Sequence, residues 1–208
     1  MAISDAYATL AEYKARVNKT VTGDDTEITA VLVAVSRLLD KEVERFFTKD
    51  AADIVRVYGG NGGRRLYIDD LSATPTSVKV DLNGDYDYAD SDETLTVNTH
   101  YWVGPPNADK GPEPRPFTFL EIRPDNSVLS KWPDQPRAVE VTGKFGWPSV
   151  PGAIREATIL VAREVLDLEE SGFTQLLQNV DQVLNLSPVA FSIVQRVKRE
   201  YGRVIPFV

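Results

Sequence analysis

Carboxylates are the most numerous chemically active side chains of this chain, which has 31 Asp and Glu residues, one histidine and no cysteine. A pair of carboxylates could act as the acid and base of a glycosidase. Most of them lie in predicted turns, however, where water solvates the charged form and leaves no general acid. The single His100 offers no histidine pair for zinc, and no Gly-x-Ser-x-Gly segment places a serine for a Ser-His-Asp triad. We therefore expect no catalytic site, no cofactor, and a packed or surface position for His100.

A glycine-rich segment, Gly59–Arg65, resembles a phosphate-binding loop in composition alone. A phosphate-binding loop ends in Gly-Lys-Ser/Thr at a turn from strand to helix, where backbone N–H groups hold the phosphates. Here the Lys-Ser/Thr pair is missing, and strands are predicted on both sides. The sequence predicts a flexible hairpin tip at this position.

An acidic segment from 81 to 93, called the acidic loop below, begins Asp-x-Asn-x-Asp like a calcium-binding EF loop. Tyr86 stands at the sixth position, where such a loop requires glycine, and Asp92 stands at the twelfth, where glutamate is expected. The pair Asn83-Gly84 is itself a strong hairpin signal. We expect a hairpin here, with adventitious cation binding at most, and no metal site in the chain.

Composition limits the classes of protein to which the chain can belong. Its 208 residues suffice for one core, or for a helical core with a sizeable insertion. The net charge of −8 argues against a sequence-independent grip on DNA, which needs clustered Lys and Arg. The absence of cysteine excludes disulfides and thiolate zinc sites. The longest apolar run, Ala30–Val35, is too short to span a bilayer, and the N-terminus does not resemble a signal peptide, so we expect a soluble protein without a membrane partner.

Hydrophobic periodicity predicts a long helix near the start of the chain. Apolar residues recur at helical spacing over about 24–47. Asp24 and Glu27 form a capping-box variant at the start of this helix, with a carboxylate able to accept from its first N–H groups. The apolar stripe is wider than one core contact needs, which indicates burial on two sides.

Two further helices are predicted near the end of the chain. One covers 151–171, where Gly172 is placed to terminate it. The other begins with Pro188 after a Ser187 cap and ends at Gly202.

Between these helices, prolines, glycines and aromatic residues become frequent, and short alternating segments follow one another. Turn signals separate them at intervals of about ten to twenty residues, the pattern of a small all-β unit. The predicted strands are 54–58, 65–68, 77–82, 94–98, 117–122 and 138–141. The sequence thus predicts an α+β fold. Its helical core is formed by the N- and C-terminal helices, residues 1–50 and 145–208, and its β-rich insertion by residues 51–144.

The segment Val139–Ala157 predicts a strand, a tight aromatic corner and the start of a helix. Val139 and Val141 alternate with polar residues, as in a half-buried strand. Gly143 and Gly146 permit backbone angles that other residues resist. No residue in this corner is a nucleophile or a metal ligand, so we interpret it as a segment that sets an angle.

This corner, with the helix that follows it, resembles the head–tail connector (adaptor) proteins of tailed bacteriophages. Further matching segments occur in the same order along nearly the whole chain, residues 83–93 of the acidic loop excepted. They are Thr9–Lys14, Asp24-Asp25, Ser36–Asp40, Arg45-Phe46, Tyr101–Pro105, Trp132-Pro133, Leu186–Val189 and Arg199–Tyr201. The resemblance rests on their order and spacing.

The resemblance implies a structural virion protein, made in the host cytoplasm and located at the head–tail interface. It implies a homo-oligomeric ring, typically a dodecamer, that attaches beneath the portal protein and meets a stopper or tail-completion protein. DNA would pass through the channel of this ring without sequence-specific binding. One alternative is a carbohydrate- or receptor-binding β-module, because Tyr and Trp are good ligand platforms. A carboxylate-dependent hydrolase is a third possibility.

Two sets of helix residues are candidates for contacts within such an assembly. The first is an inter-subunit face of the 24–47 helix, made of Val31, Val33 and Arg37. The second lies at the C-terminal end of the 151–171 helix, where the helix dipole disfavours negative charge. Its members, candidates for lining the channel or pairing with arginines of the next subunit, are Asp167, Glu169 and Glu170.

The C-terminal tail is the third candidate. It is apolar, and Pro206 prevents it from being helical. Such a segment can add to a sheet edge or fill a groove of a neighbouring subunit or the portal, or it can fold back on its own domain. The residues concerned are Arg203, Val204, Ile205, Pro206, Phe207 and Val208.

Overall fold

The computed structural model describes residues 6–20, 22–90, 93–170 and 187–203, with the backbone alone for 168–170. Within these residues, four helices and seven strands follow one another. The helices are α1 (Leu10–Val17), α2 (Asp25–Val43), α3 (Gly152–Glu170) and α4 (Pro188–Tyr201). The strands are β1 (Ile54–Tyr58), β2 (Arg65–Leu71), β3 (Ser77–Val80), β4 (Thr94–Leu95), β5 (Tyr101–Gly104), β6 (Phe117–Ile122) and β7 (Val139–Gly143).

The chain divides into two compact units. Met1–Phe47 and Val150–Val208 form the helical unit, and Thr48–Ser149 forms the β unit. The predicted α+β fold class is confirmed, since helices from both ends of the chain flank a β-rich middle.

Helix α2 is the centre of the helical unit, where it contacts α1, α3 and α4. Its apolar residues recur every three or four positions and are buried over a wide stripe: Ile28, Val31, Leu32, Val35, Leu38, Leu39 and Val43. Burial of each such side chain contributes about 1.5–3 kcal/mol. Matching stripes on α3 and α4 include Ile154, Val161, Val165, Ala190, Val194 and Val197. Within the described residues, no helix combines the length and apolarity that a membrane crossing requires.

Helix α1 begins with a complete capping box. The Glu12 N–H donates to Thr9 Oγ1 at 3.2 Å, and the Thr9 N–H donates to Glu12 Oε2 at 2.8 Å. A cap of this kind stabilises a helix by about 1 kcal/mol. Arg16 on the same helix pairs with Glu156 of α3 at 2.8 Å, which ties α1 to the rest of the helical unit.

The capping box predicted at the start of α2 is wrong. Asp24 occupies the N-cap position, but its side chain makes no capping hydrogen bond. Its φ of −102° and ψ of 10° lie outside the extended conformation that directs an N-cap side chain at the first turn. Its carboxylate instead pairs with Lys19 Nζ at 2.8 Å.

The predicted start and end of the last helix are confirmed. Ser187 Oγ accepts a hydrogen bond from the Ala190 N–H at 3.1 Å, and Pro188 occupies the first turn of α4. Gly202 is the C-cap residue of the helix. The predicted stop at Gly172 lies outside the described residues.

The β unit contains two antiparallel sheets. One has the strand order β1-β7-β3-β4, and the other has the order β2-β6-β5. Strand β7 lies between β1 and β3, with Val141 opposite both Arg56 and Val78. Its residues alternate between buried and half-buried positions, as the sequence predicts. The hydrophobic core of the β unit, to which both sheets contribute, includes Leu66, Leu71, Val78, Val80, Tyr101, Leu120, Ile122, Trp132, Val139, Val141 and Phe145.

The segment Gly59–Arg65 is not a hairpin tip, because β1 and β2 belong to different sheets. The Gly60 N–H donates to the Gln135 carbonyl at 3.0 Å. A Cβ at Gly60 would lie 1.7 Å from the Pro133 carbonyl oxygen. The glycine therefore permits close packing against a neighbouring segment, which composition alone does not distinguish from a turn.

The acidic loop connects β3 to β4, which form an antiparallel pair. This pairing confirms the predicted hairpin, whose connecting loop is organised by the Asp81 side chain. Asp81 Oδ1 accepts from the Gly84 N–H at 2.6 Å, and Oδ2 accepts from the Tyr86 N–H at 3.1 Å.

The aromatic corner after β7 closes the base of the β unit. The Asp50 N–H donates to the Phe145 carbonyl at 2.8 Å, and the Gly146 N–H donates to the Asp70 carbonyl at 2.7 Å. Trp147 is buried and donates its Nε1–H to Asp70 Oδ2 at 3.1 Å. Gly146 has φ +101°, and a Cβ there would lie 2.0 Å from the Thr48 carbonyl oxygen. Only glycine satisfies both conditions.

Replacement of Gly146 by alanine is expected to lower the free energy of unfolding of the β unit by about 3 kcal/mol or more. The methyl group would meet backbone, and alanine at this φ is strained. Gly111→Ala is the matched control, because Gly111 has φ +104° but no heavy atom lies within 4 Å of a Cβ there. This variant should lose only the about 1–2 kcal/mol that the backbone strain costs. Urea unfolding followed by tryptophan fluorescence measures both. Equal losses in the two variants would contradict the close approach at Gly146.

Candidate functional site

The predicted inter-subunit face of α2 contains side chains in different environments. Val31 is 1 % exposed and belongs to the core of its own helical unit. Val33 is half-buried, and Ala30, one turn before it, is exposed. Of the two valines, Val33 is therefore the one with surface left for a neighbouring subunit.

Arg37 takes part in a polar cluster inside its own chain. Its Nε lies 3.2 Å from Asp40 Oδ2, and its guanidinium lies 5.3 Å from the centre of the Tyr7 ring. The Tyr7 hydroxyl donates to Asp40 Oδ1 and accepts from the Phe47 N–H at 3.0 Å. The Tyr7 N–H donates to Ser36 Oγ at 2.9 Å. The cluster fixes two positions to α2: Tyr7, which precedes α1, and Phe47, which follows α2.

Burial dominates the electrostatics of this cluster. It raises the pKa of Asp40 to about 6, against the smaller lowering effects of the Tyr7 hydrogen bond and the Arg37 charge. Burial and the neighbouring Asp40 carboxylate also raise the pKa of Tyr7. Because Asp40 and Tyr7 are hydrogen-bonded inside the helical unit, the raised pKa of Asp40 makes the stability of this unit depend on pH.

The acidic end of α3 is described in part. Asp167 is exposed and pairs with Arg163 one turn earlier, at 3.4 Å. The side chains of Glu169 and Glu170 lie outside the described residues. The assignment of these three acids to a channel surface stays a prediction.

The tail falls largely beyond the described part of the chain. The Arg203 N–H donates to the Val43 carbonyl at 3.2 Å, which places the start of the tail at the C-terminal end of α2. Residues 204–208, which include Val204, Ile205, Pro206, Phe207 and Val208, lie outside the described residues.

Among the described residues, the helical unit also exposes three large apolar side chains to which the sequence interpretation assigned no contact. They are Phe46, Val189 and Phe191, exposed by 53 %, 54 % and 48 %. A signal for the two on α4 exists in the sequence. The buried stripe of α4 is Ala190, Val194, Val197 and Tyr201, and apolar residues at 189 and 191 lie off that stripe.

His100 has a structural role in the β unit. Its Nδ1 accepts a hydrogen bond from the Thr96 N–H at 2.8 Å, and its carbonyl accepts from the Arg123 N–H at 3.0 Å. The half-buried position agrees with the packed or surface setting predicted for this residue.

Comparison with known proteins shows a likeness in fold. No model of a protein family matches the sequence, and no curated protein matches it. Among solved structures, a chain from the neck of an empty GTA particle, computed with C6 symmetry, is similar in fold. The TM-score is 0.51 at 14 % sequence identity, and the match covers 95 % of this chain and 91 % of the other. The likeness therefore extends over both units and concerns the fold.

Replacement of Asp40 by asparagine is expected to change how stability depends on pH. The ordinary pKa of Asp is 3.8 and that of Asp40 in the folded chain is about 6, so the folded chain holds a proton in this window that the unfolded chain has released. The stabilisation by this proton is complete below about pH 4 and is lost as the pH rises through about 6. Relative to the variant, the wild type should therefore lose stability between these pH values.

Denaturant unfolding followed by far-ultraviolet circular dichroism at several pH values measures this difference. Asp167→Asn, which removes an exposed carboxylate from the same unit, is the control and should follow the wild type. A constant difference between Asp40→Asn and wild type across the window would contradict the raised pKa.

Proposed function

We propose that this chain is a structural protein of a phage-like particle, a head-to-tail connector that forms a ring beneath the portal. The ring extends the DNA channel and joins capsid to tail, so the protein is located in the virion. The observation that carries the proposal is the likeness in fold to a neck chain, which extends over nearly all of both chains. The ordered segments that resemble connector proteins support it independently, because they rest on sequence and not on fold.

The proposed partners are further copies of this chain, the portal protein, and a stopper or tail-completion protein. The similar neck structure was computed with sixfold symmetry, and a ring of twelve subunits is compatible with a sixfold axis. Closed rings of identical subunits use one heterologous interface repeated around the axis. A dodecamer is therefore the ring size that we propose.

The interface between subunits is proposed to include the apolar side chains exposed on the helical unit. Val189 and Phe191 lie on one helix, and each leaves about half of its surface in solvent. Both side chains are therefore available for contact with another protein. We propose that a second copy of this chain contacts these side chains, because the connectors that the chain resembles form rings of identical subunits.

The proposed work is mechanical, and no covalent chemistry is assigned to the chain. Interfaces hold the ring together, and DNA passes through without specific contacts. The net charge of −8 suits that passage, because a negative protein surface does not bind phosphates. The acids at the end of α3 are proposed to contribute to this surface.

Co-purification with the portal protein tests the proposal. Tagged full-length chain should retain portal from the same particle, and the complex should elute at the size of a ring. A carbohydrate- or receptor-binding module, or a hydrolase, would leave portal unbound and the chain small. Either of those results would overturn the proposal.

Val33→Glu is expected to weaken assembly more than folding. The half-buried Val33 side chain lies beside exposed Ala30, so a carboxylate there can reach water in the free subunit but not in an interface. Size-exclusion chromatography with light scattering, with portal present, measures assembly. Thermal unfolding of the free chain measures folding, and its midpoint should change little.

Val31→Glu is the contrasting variant, because Val31 is 1 % exposed inside its own unit. A carboxylate at this position should lower the unfolding temperature sharply. If Val33→Glu lowers it equally, Val33 belongs to the intrachain core and the interface prediction fails.

Deletion of residues 203–208 is expected to abolish portal attachment while thermal stability stays nearly unchanged. The tail is apolar, and Pro206 prevents it from forming a helix. We therefore expect it to dock as an extended segment on a neighbouring subunit or on the portal. A large loss of stability in the free chain would instead favour a tail folded back on its own domain. Arg203→Ala alone, which keeps the backbone N–H that bonds to Val43, is the control for the charge.

A further inference from the structure

Three carboxylates of the β unit come together at the acidic loop. One oxygen from each of Asp81, Asp85 and Glu93 lies within 4.8 Å of the other two. Asp81 follows the last residue of β3, and Glu93 precedes the first residue of β4. The sheet pairing of these two strands therefore places both carboxylates at the same end of the sheet.

Two of the three carboxylates are buried. Asp81 and Glu93 are each 1 % exposed, whereas Asp85 is exposed. Among the described residues, none of the three forms an ion pair with Lys, Arg or His. The loop itself supplies no cation, since residues 81–93 contain no Lys or Arg.

The hydrogen bonds around the group leave one buried oxygen bare. Asp81 accepts from two loop N–H groups and from Gln135 Nε2 at 3.2 Å. Glu93 Oε1 accepts from the Leu82 N–H at 3.2 Å, but Glu93 Oε2 is buried and has no hydrogen-bond partner. A buried carboxylate oxygen without a partner is costly, and two like charges nearby add to the cost. Among the described residues, no cationic side chain pairs with these three carboxylates, so a bound cation would lower this cost.

We propose that Asp81, Asp85 and Glu93 bind one Ca²⁺ ion, with Glu93 Oε2 as a ligand that the protein leaves free for it. Carboxylate oxygens are the hard donors that Ca²⁺ prefers. Ca²⁺ binds oxygen at about 2.3–2.6 Å, so two of its ligands are at most about 5 Å apart. The spacing within 4.8 Å satisfies this limit. Backbone carbonyls and water complete the shell.

Two positions of the sequence, the sixth and the twelfth, depart from the pattern of a calcium-binding EF loop, and the structure bears on both. Tyr86, at the position that requires glycine, has φ +65° and so adopts the left-handed conformation that glycine supplies. Glu93, one residue after the expected twelfth position, joins Asp81 in the group. Asp92, which stands at that twelfth position, lies outside the described residues.

Calcium titration of the full chain, freed of metal with a chelator, tests the proposal. Calorimetry should give one site per chain with a Kd between about 10⁻⁵ and 10⁻³ M, the range of sensor to extracellular sites. Mg²⁺, which demands shorter bonds and keeps its water, should bind at least roughly tenfold more weakly.

Glu93→Gln is the decisive variant. It removes the charge of the bare oxygen at nearly constant volume, and the calcium affinity should fall roughly tenfold to hundredfold. Without metal, the variant should melt at the same temperature as the wild type or higher, because a buried charge without a cation has been removed. With calcium at about 1 mM, a concentration in the range of such sites, the wild type should melt higher and the variant should not.

Asp109→Asn, at an exposed carboxylate paired with Lys110 in the same unit, is the matched control and should bind calcium like the wild type. Asp85→Asn tests the site without altering a buried residue and should weaken binding. Absence of saturable binding up to about 10⁻² M calcium, or equal affinity in wild type and Glu93→Gln, would overturn the proposal. Loss of binding in the Asp109→Asn control would also overturn it, since it would indicate diffuse attraction to acidic surface.

Discussion

The β unit depends on the close approach of two backbone segments at its base. Gly146 lies against the Thr48 carbonyl with φ +101°, in a space that no side chain fits. The Asp50 N–H donates to the Phe145 carbonyl beside it, so the chain enters and leaves the unit through one hydrogen-bonded junction. The pairing of β1 with β7 continues from this junction. A long β segment can thus lie between two helical segments of the sequence while its ends remain adjacent.

Much of this fold follows from the sequence because its signals are local. Alternation marked β7, helical spacing marked α2, and Ser187 with Pro188 marked the start of α4. Thr9 and Glu12 form a capping box that the sequence displays and the interpretation overlooked, so that α1 was not predicted. Strand β5 was also missed, because it is short and its pairing with β6 is a tertiary property.

The candidate sites were less predictable, because they depend on contacts between residues distant in the chain. Nothing local shows that the Arg37 guanidinium lies over the Tyr7 ring, or that Gly60 packs against Pro133. The calcium proposal has the same origin. Sequence spacing argued against a metal at the acidic loop, whereas the β3–β4 pairing brings Glu93 to Asp81 and leaves one of its oxygens bare. In each case the site depends on which side chains are buried. Hydrophobic periodicity predicts burial only within helices and strands.

In the function proposed above, the chain is a ring-forming connector whose helices and β unit serve mechanical contacts. Its fold resembles that of a neck chain across 95 % of the sequence. The exposed side chains of Val189 and Phe191 are the surface that we propose for a neighbouring subunit. Electron microscopy of the purified chain mixed with the portal protein tests this most directly. We expect end-on views of closed twelvefold rings bound coaxially to the portal. Particles of single subunits beside unoccupied portals would contradict it.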